Sequence, residues 1–238
     1  MRGITDTVKH LLIINVLMFI GASTIGNGVF YNWFSLHFPK NDLFQPWQFV
    51  THMFMHGDIM HIAFNMLALW MFGTAVEQVF GAKKFIIFYF LSGLGAAFIM
   101  ISWNYFQYNS GISEIVNSTI YTSTEVENAI RNGQYLGRIS DIFDTPMVGA
   151  SGAIMGLLVA FGMLYPESKL MLIFLPIPIK AKYFIPGIIA LDLFSAITGQ
   201  SIFSPNNTAY VAHIGGALTG FILMWIWKKN QFDKYRWN

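Results

Sequence analysis

Runs of apolar residues recur six times along the chain: Val8 to Ile25, Ile59 to Phe80, Phe85 to Trp103, Met147 to Tyr165, Tyr183 to Thr198 and Tyr210 to Trp227. A helix needs about 20 residues to cross a hydrocarbon core of about 30 Å, so the pattern predicts six membrane-spanning helices. The third and fourth runs hold no charged residue, whereas the first carries Lys9 and His10 and the fifth Asp192. Leu170 to Ile179 is also apolar, but it is short and broken by Pro176 and Pro178, and reads as an interfacial connection. The first run, ending near Gly21-Ala22-Ser23, has features of a cleavable signal peptide. Five more runs follow it, so the chain is membrane-embedded either way, and the run is read as a retained first helix.

Lys and Arg in the connections set the orientation, because they concentrate on the cytoplasmic side. The N-terminal segment with Lys9 at the start of the first run, the 81–84 turn, the 166–182 segment and the C-terminal tail hold eleven of the fourteen. The other side receives Lys40, Arg131 and Arg138, and the 199–209 turn has none. Both termini are therefore expected in the cytoplasm, with spans two, four and six running inward from the outer face. Gly26 to Asp58 is rich in aromatics (Phe30, Trp33, Phe44, Trp47), which suits the headgroup region. Asn104 to Pro146 is polar, with Glu114, Glu125, Glu127, Asp141 and Asp144, and reads as a flexible external loop. No internal repeat is visible. The expected organisation is one membrane domain over 1–238 with external loops 26–58 and 104–146.

Composition narrows the class. Of 238 residues, 55% are hydrophobic and only 11% charged, against roughly 25% charged in ordinary globular chains. That is too little polar surface to coat a water-soluble body, which excludes a soluble enzyme, a disordered chain and a nucleic-acid binder. A net charge of +2 gives no argument for a polyanionic partner, and with no Cys there is no disulfide, thiol nucleophile or thiolate metal site.

Polar side chains inside spans are costly unless paired or hydrated, so each is a functional candidate: His61, Asn65, Glu77, Ser151, Asp192 and His213. Counting about 1.5 Å of rise per residue from the outer ends, His61 lies about 3 Å deep, Asn65 about 9 Å, Ser151 about 6 Å and His213 about 5 Å. Four polar groups from three helices thus share one outer layer, and His61 and Asn65 at i and i+4 share a face. Ser151 sits among Gly149, Ala150, Gly152 and Ala153, while His213, Gly216 and Gly220 form one stripe whose small residues admit a close neighbour. Small residues around a serine are, alone, a common packing device, and a lone histidine can line a proton path. Together they offer a weak nucleophile, a base to activate it, and donors for an oxyanion. A transporter or channel would string polar groups across the whole thickness; these gather near one face.

At these residues the chain resembles the rhomboid family of intramembrane serine proteases. Gly149-Ala150-Ser151-Gly152 is similar to the family's GxSG, and Ala212-His213-Ile214-Gly215-Gly216 to its AHxxG. His61 and Asn65 match HxxxN of the second helix, His52 and His56 match further family histidines, and Glu77 with Gly81 resembles an ExxxG pattern. The resemblance implies a six-helix bundle without cofactor or bound metal that cleaves membrane-spanning proteins near the outer surface. It implies a dyad with Ser151 as nucleophile and His213 as base, no carboxylate being required. His61, Asn65 and the Ser151 backbone N–H would hold the oxyanion. Two positions depart from the family pattern. Met155 replaces an aromatic that supports the histidine ring, and Gln48 replaces an arginine that anchors the first loop. A catalytically dead relative would escort membrane proteins instead, but such chains usually lack the Ser or His retained here.

The remaining residues have structural expectations. Glu77, near the cytoplasmic end of its span, ties helix ends and loop backbone. Asp192, near mid-membrane on its span, is expected to make an interhelical hydrogen bond rather than to act as a third member of a triad. His52 and His56, at metal-compatible i, i+4 spacing but without HExxH, shape the first loop. Trp70, Trp103, Trp225 and Trp227 face lipid or its interface. Lipid is the expected surrounding, and a bacterial cytoplasmic membrane the expected location.

Overall fold

The computed structural model describes residues 3–25, 28–172, 175–198 and 209–234. The turn over 199–209 read from the sequence therefore lies, except for Ala209, outside the described residues. Among these residues five helices are long and apolar enough to cross a membrane: Asp6–Thr24, Ile59–Phe80, Ala82–Ser118, Ala181–Thr198 and Tyr210–Trp227. The chain is a multi-pass, mostly helical integral membrane protein. Its outward faces fit a lipid solvent, since Phe98 and Ile197 are 70% and 76% exposed without any polar cover.

In chain order the helices are α1 (Asp6–Thr24), α2 (Val29–Phe34) and α3 (Gln48–Thr51), the last continued by a 3-10 turn over His52–Phe54. The second span is composite: α4 (Ile59–Ala68), a π-helical stretch (Leu69–Gly73) and α5 (Thr74–Phe80). After α6 (Ala82–Ser118) come α7 (Ser123–Arg131), α8 (Arg138–Asp144) and α9 (Ser151–Leu164). Strands β1 (Lys169–Leu172) and β2 (Leu175–Lys180) precede α10 (Ala181–Thr198) and α11 (Tyr210–Lys234).

The fourth apolar run is shorter as a helix than its sequence suggests. α9 has 14 residues, about 21 Å of helix, and starts at Ser151 rather than Met147. The cause is local: Gly149 has φ +117°, which no right-handed helix accommodates. Met147 ahead of it pairs with Leu36 as an isolated antiparallel bridge. Residues 147–150 are thus not helical, and the serine stands at a helix N-terminus instead of partway along one. Leu170 to Ile179, expected as an interfacial connection rather than a span, forms the antiparallel β1–β2 hairpin, with Lys169 opposite Lys180.

The segment 104–146 is not a flexible loop. α6 continues to Ser118, and α7 and α8 fold back on it around a second core of Phe38, Tyr108, Ile112, Val126, Ile130, Ile139 and Phe143. α7 opens with a capping box in which Thr122 N–H donates to Glu125 Oε2 at 2.7 Å and Glu125 N–H to Thr122 Oγ1 at 3.4 Å. This helical cap is fastened to the first loop. Lys40 pairs with Glu127 at 2.5 Å and Arg131 with Asp42 at 2.6 Å, and Asn41 Nδ2 donates to the Phe143 carbonyl at 2.8 Å.

Within the membrane body α6, α9 and α11 pack most closely, through small residues. A Cβ at Gly216 would lie 1.9 Å from the Gly152 carbonyl oxygen, and one at Gly220 2.6 Å from Gly156 Cα. A Cβ at Gly215 would meet Ala96 Cα at 3.1 Å. These backbones touch, which only glycine permits. Trp227, expected to face lipid or its interface, packs its ring on Phe80 and Phe88 and carries the Lys84 ammonium 4.3 Å from its centroid.

Candidate active site

Three elements converge on the N-terminal end of α9. From α4, Asp58 caps the helix by accepting from Met60 N–H at 2.9 Å and His61 N–H at 2.8 Å, which fixes His61 in the first turn. Gly57 N–H reaches His61 Nδ1 at 3.4 Å, so that nitrogen accepts and the ring proton belongs on Nε2. That Nε2 lies 2.7 Å from where a Gly149 Cβ would stand, with Ser151 Oγ 3.7 Å from the same point. Any side chain at 149 would therefore collide with the His61 ring beside the serine. Asn65 is 7% exposed and its Nδ2 donates to the His61 carbonyl at 2.8 Å, leaving the second amide hydrogen for another acceptor.

α9 itself supplies the backbone donors. Ile154 N–H is the first to close a helical bond, to Ala150 O at 3.0 Å. The N–H groups of Ser151, Gly152 and Ala153 thus lack intrahelical acceptors and point to an anion-stabilising helix end. The entry into that turn is held by the first loop: Leu36 and Met147 exchange N–H···O bonds of 3.0 and 2.8 Å, and Gly149 N–H donates to the His52 carbonyl at 2.9 Å.

The first loop is in turn organised by Gln48, which is fully buried. Its Oε1 accepts from His37 N–H at 3.2 Å and Gln45 N–H at 3.1 Å. Its Nε2 donates to the Asn32 and Leu43 carbonyls at 3.0 and 2.9 Å. The substitution that put the loop anchor in doubt is thus resolved, since both ends of the amide are used. His52 Nδ1 bonds the Gln48 carbonyl at 2.8 Å, and the His56 ring meets the His61 ring edge-on with centroids 5.0 Å apart. Burial pushes the His52 and His56 imidazoles down to about 4, with the nearby His61 ring adding to the effect at His56. Both histidines serve as neutral parts of the loop, as expected.

From α11 comes His213. The Ala212 carbonyl oxygen lies 3.7 Å from where a Gly152 Cβ would be, so the chain neighbours of Ser151 and His213 are in contact. His61 and His213 are within electrostatic reach of each other. Asp192 of α10 does make an interhelical hydrogen bond, and its partner is this histidine: Oδ2 lies 3.0 Å from His213 Nδ1. Sequence reasoning set a triad role aside in favour of an interhelical bond whose partner it did not name; nothing in the spacing of Asp192 and His213 along the chain pairs them. Nε2 is the ring nitrogen left for a second partner. Met155, one turn after Ser151, is buried in the α9 core. Glu77 sits at the opposite end, accepting from Thr5 Oγ1 at 2.5 Å and Val8 N–H at 3.1 Å, a helix-end tie as expected.

The candidate site is thus a serine at a helix N-terminus within a multi-pass bundle, with the His61 ring beside it and the chain neighbour of His213 close to its own. The Rhomboid domain family model matches residues 43–230, and the chain belongs to the rhomboid family. It is 31% identical over 180 residues to "Rhomboid protease AarA" of Providencia stuartii, covering 74% of this chain and 54% of that protein. It is 33% identical over 129 residues to "Rhomboid protease GlpG" of Salmonella newport, covering 54% of this chain and 46% of that protein. The chain spans about half the length of these curated relatives.

Proposed function

We propose that this chain is an intramembrane serine endopeptidase using a Ser151–His213 dyad. The single observation that carries it is the glycine contact between α9 and α11, which brings the chain neighbours of the two residues together. Ser151 Oγ attacks the scissile carbonyl carbon while its proton passes to His213 Nε2. The oxyanion is held by the Ser151 N–H, His61 Nε2–H and Asn65 Nδ2–H, each such donor worth about 3 to 4 kcal/mol of barrier. Collapse breaks the C–N bond, His213 returns the proton to the leaving amine, and water reverses the sequence on the acyl-enzyme.

The proposed setting is six spans in one domain with both termini cytoplasmic, α9 being a short fourth span whose outer end carries the serine. Substrates are transmembrane proteins cut near the outer face, in a bacterial cytoplasmic membrane. The mechanism needs no cofactor. The test is cleavage of a reporter transmembrane substrate by the chain in proteoliposomes, with Ser151→Ala and His213→Ala beside it. Both variants are expected to lose cleavage and fluorophosphonate labelling while remaining folded. Cleavage by Ser151→Ala at the parent rate refutes the assignment, and reporter fusions at each terminus test the topology.

A further inference from the structure

Asp192 is a carboxylate placed among apolar helices, with its side chain 10% exposed and that of His213 15% exposed. Charged groups survive in such places when paired. The pairing atom decides what the contact can do. An imidazole acts as a base at Nε2 only if its other nitrogen carries the proton, and a carboxylate at Nδ1 enforces that tautomer. α9 offers no substitute: Met155 brings only a thioether, a weak acceptor. The His61 ring of α4, within electrostatic reach of His213, adds no negative charge.

We propose that Asp192 is a positioning residue for His213, making the site a Ser-His-Asp arrangement assembled from α9, α11 and α10. This rests on the assignment of Ser151 and His213 as nucleophile and base. Asp192 accepts the Nδ1–H hydrogen bond throughout. When Nε2 takes the Ser151 proton, the imidazolium forms beside a fixed negative charge, and no proton moves to the carboxylate. The alternative is a bond that only ties α10 to α11.

The experiment compares Asp192→Ala, Asp192→Asn and Asp192→Glu with the parent chain and Ser151→Ala. It measures reporter cleavage, the rate of fluorophosphonate labelling, thermal unfolding, and the imidazole Nδ1 proton by NMR on chain labelled at histidine. Asp192→Ala is expected to lower kcat by about 10² to 10⁴-fold, toward the loss known for removing a triad carboxylate, with KM within about twofold. Labelling of Ser151 slows in parallel, the downfield Nδ1 proton disappears, and Asp192→Glu recovers part of kcat. Parent kcat in Asp192→Ala and Asp192→Asn overturns the proposal. So does a loss seen only as a raised KM, or one accompanied by an unchanged Nδ1 proton signal. Were Asp192→Ala to unfold, Asp192→Asn and the Nδ1 signal of the parent chain decide alone. Cleavage by Ser151→Ala would instead remove the dyad itself, an outcome distinct from a dead Ser151→Ala beside fully active Asp192 variants.

Discussion

The contact between α9 and α11 makes a quantitative demand on one atom. In Gly216→Ala the added methyl would stand 1.9 Å from the Gly152 carbonyl oxygen and 2.7 Å from its carbonyl carbon. Ordinary contact begins near 3.4 Å, so the helices must separate by about 1.5 Å at this level. Both obstacles are backbone, so no rotamer change relieves them. Overpacking of this kind costs about 1 to 3 kcal/mol, partly offset by about 1 kcal/mol from replacing a helical glycine. The larger effect is geometric. Ser151 adjoins Gly152 and His213 is one turn before Gly216, so the proposed dyad opens by a similar amount, and a displacement near 1 Å can cost about 10²-fold in rate.

Gly220→Ala is a graded comparison, since its methyl would meet Gly156 Cα at 2.6 Å and lies one turn further from the serine. Gly187→Ala on α10 is the control, with no heavy atom within 4 Å of the new methyl. The assay is reporter cleavage in proteoliposomes with thermal unfolding measured alongside. Expected activity falls in the order Gly187→Ala at parent level, Gly220→Ala reduced, and Gly216→Ala at least about 10²-fold down. Parent-like cleavage by Gly216→Ala, or a greater loss in Gly220→Ala, would refute the claim that this contact sets the dyad.

Further tests concern the supports. Gln48→Ala strips the acceptor from His37 and Gln45 N–H and the donor from Asn32 and Leu43 carbonyls; a loss of about 2 to 4 kcal/mol is expected in chemical unfolding, with reduced activity because the same loop holds Gly149. His52, 1% exposed, titrates near 4 when folded and near 6.5 when unfolded. The unfolded chain therefore binds more protons between those values, and up to about 3 kcal/mol of stability present above pH 6.5 is lost as pH falls toward 4. Thermal midpoints measured across that window should drop, less steeply in His52→Gln, and a flat profile for the parent chain counts against it. Glu77→Ala removes the acceptor of Thr5 and Val8 at the start of α1; about 1 to 3 kcal/mol of stability should go while kcat stays within about twofold, because the residue sits at the far end of the bundle.

What the chain's pattern disclosed and what it hid divide along a physical line. The long apolar runs and the small-residue stripes are local in sequence, so the boundaries of Ile59–Phe80 match the structure and the glycine contact was foreseeable from Gly216 and Gly220. The helical cap was missed because 104–146 is polar overall. Its helices bury only scattered positions such as Val126 and Ile130 against Tyr108, too sparse to outweigh the surrounding Ser, Thr and Asn. The start of α9 was misplaced because hydropathy reads through Gly149, whereas its positive φ ends one conformation and begins another. The partner of Asp192 depends on how α10 leans against α11, which no spacing within either helix reports.

These two kinds of support imply that the site has separable controls. On one side the proposed dyad of Ser151 and His213 is set by backbone contact between α9 and α11, where nothing can adjust without moving a helix. On the other, Gly149 and its neighbours hang from hydrogen bonds to Leu36 and His52. That loop is tied through Lys40 to Glu127 and through Asp42 to Arg131 of α7. Exposed ion pairs of this kind contribute only about 0 to 1 kcal/mol each and weaken with salt. Breaking both with Lys40→Ala and Arg131→Ala should therefore leave the α9–α11 contact and the bundle's thermal midpoint nearly intact while loosening the loop that sets the oxyanion side. The expected signature is a fall in kcat of a few-fold that high salt reproduces in the parent chain and does not deepen in the double variant. Equal salt sensitivity in both proteins would show that the cap does not act on the site through these pairs.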